Sequence, residues 1–283
     1  MKKTLLIIAA LCLVLAACDE TKTEKPEAPK ANEFSINTIS VTDTIQCSEE
    51  ILEEAREIVT WVEDDKAYYH YEMDLPVTDN QALKDSIEAY LLAGLNTYSD
   101  NPDQVTNYKE LGDAKALLEL DKERFANGQW PASESNTYKK MVENADKYVT
   151  YIEEVQTYNC GAAHGEFSRS GATFKKETGK TFTWDMFTDK DMALEIIKYA
   201  MLEQYFEVNL DEFNEEDLYE YFDLSASWGL SLPVCNPWIH EGKLVAIYQQ
   251  YEACNYSFGL PECEVPYEQI KDFLTDEGKS FFE

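Results

Sequence analysis

Between Tyr68 and Leu75 the side chains alternate without a break. Tyr69, Tyr71, Met73 and Leu75 fall on one side, and His70, Glu72 and Asp74 on the other. Successive strand residues point to opposite faces, so this is a strand with one buried and one polar face. A sheet made this way needs a second layer over its apolar side. The chain supplies one directly downstream. Leu83, Ile87, Tyr90, Leu91 and Tyr98 recur at helical spacing, and Asp113–Asn127 repeats the pattern through Ala114, Leu117, Leu118 and Phe125 before Gly128. Pro76 is expected to close the strand, and Thr78 with Gln81 to form a capping box.

The remaining segments follow the same logic. Ser35–Gln46 places Ile36, Ile39, Val41 and Ile45 among Thr and Asp, a strand with a kink. Ile51–Val62 is rich in Glu and reads as a short helix or a charged connection. Tyr138–Thr157 has strand character. Phe167–Lys175 and Lys180–Trp184 read as strands joined by the turn Glu177-Thr178-Gly179-Lys180. Thr188 opens a helix with Leu194, Ile197, Met201 and Tyr205 as its buried stripe, and a short acidic helix covers Glu215–Phe222. Leu230, Leu232 and Val234 alternate. His240-Glu241-Gly242-Lys243 is a turn, and Leu244–Tyr251, apolar on both faces, is a central strand. Pro266 starts a terminal helix that docks through Tyr267, Ile270, Phe273 and Leu274. Strands and helices come in blocks rather than strict βαβ alternation. The expected fold is α+β, antiparallel sheets with packed helices, in two sequential subdomains at 34–157 and 158–283.

The N-terminus gives an expected address. Lys2 and Lys3 precede the apolar run Leu5–Ala17, which is short for a bilayer span. The run ends Leu15-Ala16-Ala17-Cys18, a lipobox in which the Cys18 thiol is the natural point of lipid attachment. We expect a signal peptide at 1–17 and a lipid-anchored disordered tether at 18–33, poor in large apolar residues. That places the protein in the bacterial cell envelope, at the outer membrane or cell surface rather than the inner membrane.

Fifty-five acidic residues stand against 24 basic ones, a formal charge of −31. This argues against nucleic acid or anionic lipid as partners of the folded part, and favours a basic protein or a cationic ligand. Of seven cysteines, Cys12 lies in the leader and Cys18 carries the lipid. Cys254 and Cys263 flank a short loop and are the candidate disulfide among the other five. No CxxC spacing indicates a zinc or redox site.

Cys160-Gly161-Ala162-Ala163-His164-Gly165 resembles the GGAHG-type turn of the RsiV-like extracellular domain of unknown function, a family also found beside polysaccharide deacetylase domains. Thr178-Gly179-Lys180 resembles its TGK hairpin, and Trp184-Asp185-Met186-Phe187 its D-x-F landing. Tyr248-Gln249-Gln250-Tyr251-Glu252, Gly259 and Val265-Pro266-Tyr267 resemble its later motifs. The matches keep their order across most of 35–275. Ala162 departs from the pattern, as do Cys160, Cys254 and Cys263. The resemblance implies an extracytoplasmic sensing or binding module. The RsiV branch binds lysozyme, a strongly basic protein, so a lysozyme-like protein or a cell-wall glycan is the expected ligand. Neither an anti-sigma segment nor a deacetylase motif is present to carry those activities over.

Within this frame the candidate ligand contacts are His164, Glu166, Gly161 and Gly165. The structural alternative has the His164 ring hydrogen-bonding backbone inside a glycine-flanked turn. No catalytic residue, metal site or cofactor is assigned. A metal-dependent envelope hydrolase built on His164, Glu166 and His240 is the enzyme alternative, and a purely structural envelope lipoprotein is the other.

Overall fold

A computed structural model describes residues 33–59, 65–95, 108–127, 130–223 and 229–283. The leader, the lipobox with Cys18, nearly all of the tether, Tyr98 and Gly128 lie outside the described residues.

Five strands form the larger sheet in chain order: β1 (Ser35–Gln46), β2 (Lys66–Val77), β3 (Glu134–Asn144), β4 (Tyr148–Tyr158) and β5 (Glu166–Lys175). All neighbours are antiparallel except β2 and β3, which run parallel from Tyr68↔Glu134 to Met73↔Lys139. The expected antiparallel arrangement holds at every pair but this one. A short helix, α1 (Glu49–Ile58), follows β1; the chain then leaves β2, builds α2 (Gln81–Ala93) and α3 (Ala114–Ala126), and returns in the same direction. The smaller sheet is antiparallel, β6 (Trp238–His240), β7 (Lys243–Ile247) and β8 (Glu262–Pro266), with β7 central as expected.

Alternation decides which layer each side chain meets. Tyr69, Tyr71, Met73, Val149, Tyr151, Ala172 and Phe174 face α2 and α3, where Leu83, Ile87, Leu91 and Leu118 complete one core. Ile152 and Phe167 have the opposite parity and meet Trp238, Val245 and Ile247 of the smaller sheet. The far face of that sheet, Ile239, Leu244, Ala246, Cys263 and Val265, packs on α4 (Lys190–Gln204) and the C-terminal turns. The layers therefore run helix, sheet, sheet, helix. β7 lies between two cores, which accounts for its apolar character on both faces.

Buried hydroxyls join the sheets. Thr150 Oγ1 donates to the carbonyl of Ile239 at 2.7 Å, and the Ile239 amide donates to Thr173 Oγ1 at 2.8 Å. The two hydroxyls are 2.8 Å apart and both threonines are fully buried.

Several boundaries move. β2 continues through Pro76 to Val77, and the next helix is capped by Asn80, whose side chain accepts from the Leu83 amide. The stretch read as one strand over Tyr138–Thr157 is a hairpin turning at Ala145–Lys147. Leu230–Val234 forms no strand. After β5 the return strand shrinks to a single bridge, Phe174↔Thr181. Position 157/158 lies at the last residue of β4, whose partner β5 opens at Glu166 in the same sheet.

Candidate functional site

The connection from β4 to β5 holds the candidate contact residues. The Ala162 amide donates to the Asn159 carbonyl at 2.9 Å, and the Cys160 amide donates to Ser133 Oγ at 3.2 Å. Gly161 sits at φ 84°, a left-handed conformation that favours glycine. At Gly165 a Cβ would come within 2.9 Å of the Thr157 carbonyl oxygen. Both glycines thus answer to backbone geometry, and between them His164 is lifted onto an exposed turn.

A second segment, Tyr248–Glu252, meets this turn. The Glu252 carboxylate accepts from the amides of Val234 and Gln249, which fixes the segment after β7. Gln249 Oε1 accepts from the Arg169 amide at 3.2 Å while its Nε2 donates to the Arg169 carbonyl at 2.7 Å. Gln250 Oε1 accepts from the Phe167 amide at 3.1 Å. Anchored on both sides, Tyr251 is held at φ 64° with 63% of its surface exposed. A left-handed aromatic residue is uncommon and costs about 1 kcal/mol or more.

Tyr251 and Tyr256 close on His164. The imidazole stacks on the Tyr256 ring with centroids 3.7 Å apart and planes 22° apart. The Tyr256 hydroxyl donates to the Gly165 carbonyl at 3.0 Å. His164 Nδ1 lies 2.9 Å from the same oxygen, and a carbonyl only accepts, so Nδ1 carries a proton. Nε2 of the neutral ring then accepts from the Tyr251 hydroxyl, 3.1 Å away. The result is an oriented trio of rings at the surface, suited to contacting a cation or the apolar face of a ligand.

The other expected residues fall elsewhere. Glu166 opens β5 as an exposed residue beside the trio. His240 ends β6, where Nδ1 is 3.3 Å from a Glu143 carboxylate oxygen. The hydrolase arrangement of His164, Glu166 and His240 is not assembled: among the described residues no three His, Cys, Asp or Glu side chains are grouped to hold a metal ion. Cys254 and Cys263 are both buried and carry no bond to each other, and Cys160 and Cys235 are also free thiols. Burial pushes the Cys254 thiol up to about 11 and that of Cys263 up to about 12, so both stay protonated at neutral pH. Among the described residues no helix is long and apolar enough to cross a membrane.

The sequence pointed to His164 through its glycines. It did not single out Tyr256, and it offered Tyr251 only as part of the Tyr-x-x-Tyr-Glu motif. That motif was the available signal, because its two glutamines and its Glu252 bring Tyr251 to the histidine.

No family model matches the sequence, and no curated protein matches it. Solved structures do. A DUF3298 family member from Bacteroides fragilis superposes with a TM-score of 0.58 at 17% identity, covering 87% of this chain and 95% of its own. A DUF3298 family protein from Pseudomonas aeruginosa gives 0.56 at 15% identity, covering 87% and 97%. At such identity the likeness carries the fold and nothing finer. The chain has the α+β fold of the DUF3298 proteins, an uncharacterised domain family.

Proposed function

We propose that the protein is a lipid-anchored, non-catalytic binding protein of the bacterial envelope, and that it captures a basic protein of the lysozyme kind through the His164–Tyr251–Tyr256 surface. One observation carries the binding reading: an aromatic trio, with His164 and Tyr251 exposed on a half-buried Tyr256, held by a left-handed tyrosine in a strongly acidic chain. Strained backbone and exposed aromatic rings are features that folding alone does not favour, and they concentrate where proteins bind. The net charge of −31 would steer a basic partner and speed its encounter. The lipobox ending at Cys18 supports the anchor, and the ordered motifs resembling the RsiV-like domain support an extracytoplasmic sensing role. A cell-wall glycan is the second reading, favoured by the ring faces that the trio offers to a sugar.

Immobilised protein, titrated with lysozyme at rising salt and separately incubated with insoluble peptidoglycan, tests this. The expected result is lysozyme retention that weakens with salt. Joint His164→Ala and Tyr251→Ala substitution should then weaken it by about tenfold or more. Retention of peptidoglycan alone would select the glycan. No retention of either at low salt, or a double variant that binds like the parent, would remove the proposal. In cells, Cys18→Ser should abolish palmitate labelling and release the protein from membranes.

A further inference from the structure

A second feature lies away from the aromatic trio. β5 is an edge strand, and side chains or a returning segment close several of its outward backbone groups. Along β5 the outward groups belong to every second residue, because hydrogen-bonded and non-bonded pairs alternate in an antiparallel ladder. The Gln250 side chain takes the Phe167 amide. The Gln249 carboxamide takes both groups of Arg169, accepting from its N–H and donating to its C=O. Two steps further, the Thr173 carbonyl accepts from the Phe182 amide at 2.8 Å. The register with β4 is unbroken across this stretch, so Gly171 presents its N–H and C=O outward in the same way as Arg169. Nothing among the described residues closes that rung.

Gly171 lines a cleft of about 440 Å³ between α2, β5 and the segment around Cys235. No charged side chain lines this cleft, in a chain of net charge −31. Its walls mix apolar surface from Ala89, Ala172 and Phe174 with the hydroxyls of Ser170 and Tyr90. The Tyr90 hydroxyl is buried next to that of Ser170. The Tyr90 ring is backed by the buried Lys139 ammonium, 5.1 Å from its centroid, itself paired to Glu153 at 3.0 Å. Gly171 also has no alternative residue: a Cβ there would run into the indole of Trp238.

We propose that this cleft is a binding site for an uncharged ligand carrying a primary carboxamide or a cis-lactam, read by the open backbone rung of Gly171. The donor and acceptor code selects this group. The rung offers one donor and one acceptor side by side. A carboxylate has two acceptors and a guanidinium two donors, and each leaves one backbone group facing its like. In a trans secondary amide the N–H and C=O point in opposite directions, so only one can engage. A primary carboxamide or a lactam has both on one side. Gln249 demonstrates the pairing on the adjacent rung. An extended peptide strand needs several consecutive rungs, but Gln249 fills the Arg169 rung on one side and Phe182 takes the Thr173 carbonyl on the other. This site depends neither on the anchor nor on the aromatic trio.

The test uses the full folded domain labelled with nitrogen-15. Benzamide and 2-pyrrolidinone are expected to shift the Gly171 amide signal and slow its hydrogen exchange. N-methylbenzamide, which lacks the syn N–H, should bind about tenfold more weakly, and benzoate should leave the signal unchanged. Capped glutamine (the N-acetyl methylamide) separates the sources. A response to benzamide identifies a free small molecule, and a response to glutamine alone identifies the side chain of a partner. Ala89→Trp, on the exposed face of α2 at the cleft mouth, should abolish the response while the rest of the spectrum stays folded. Silence of Gly171 to all carboxamides, equal responses to benzoate or N-methylbenzamide, or an undiminished response in the Ala89→Trp variant would each overturn the proposal.

Discussion

Ile239 shows how much a single residue can depend on two hydroxyls. Its amide and carbonyl face away from β7 and are satisfied only by Thr173 and Thr150 across the sheet interface. Replacing Thr150 with Val keeps the shape but strands a buried carbonyl, which costs about 1–3 kcal/mol. Urea denaturation should show that loss as a lower midpoint with an unchanged slope, and Thr150→Ser should recover most of it. In the sequence these threonines read only as β-branched strand residues. Their partner sits 89 and 66 positions away, and no local pattern announces it. Cys254 and Cys263 show the reverse error. Their closeness in sequence suggested a bond, but Cys263 faces the α4 core and its thiol points to the Ile197 carbonyl.

Among the elements, β5 is the one whose edge is managed by side chains instead of another strand. Gln249 and Gln250 stand where a sixth strand would pair. Exposed edges invite pairing between molecules. Joint Gln249→Ala and Gln250→Ala substitution would leave Phe167, Arg169 and Gly171 open in succession. We expect this variant to self-associate in sedimentation velocity at concentrations where the parent is monodisperse, and parent-like behaviour would count against the capping role. Elements with a local signal were readable. β1 matches its expected span, α3 starts on its Asp113 cap, and Glu241 and Gly242 make the expected turn with φ of 49° and 71°. The β3–β4 hairpin was missed because Ala145, Asp146 and Lys147 include neither glycine nor proline to mark the turn. Leu230–Val234 alternated but joins neither sheet. Pro233 and Pro237 flank the segment's end and cannot donate to a ladder, and Val234 is 84% exposed.

At the scale of the molecule, buried tyrosines set the response to alkali. Burial holds the phenols of Tyr69, Tyr71, Tyr90, Tyr151 and Tyr248 well above their ordinary value. In the unfolded chain they ionise near pH ~10. Above that pH the unfolded state holds fewer protons than the folded one, so stability falls as pH rises. Below it their contribution is fully present. Lys139, Lys140 and Lys176 work in the opposite sense, since burial lowers their values, but the buried phenols outnumber them. Stability should therefore be level on approaching pH ~10 and fall beyond it, with unfolding and tyrosinate absorbance rising together. Added salt should moderate the fall by screening a chain that starts at −31. The α+β class was legible because it needs only the order of blocks. Strand direction was not, because the parallel contact between β2 and β3 joins segments separated by two helices.

That parallel contact also bears on how the molecule comes into being. β1–β2 and β3–β4–β5 are each built from antiparallel neighbours close in the chain. The seam between them runs from Tyr68↔Glu134 to Met73↔Lys139 and can close only across everything from Thr78 to Ser133. Pairing at such range is slow because the chain entropy is lost before the contacts are gained. Time enters the architecture at this seam: two halves of one sheet can exist before the sheet does, and their meeting sets the pace at which the whole protein matures.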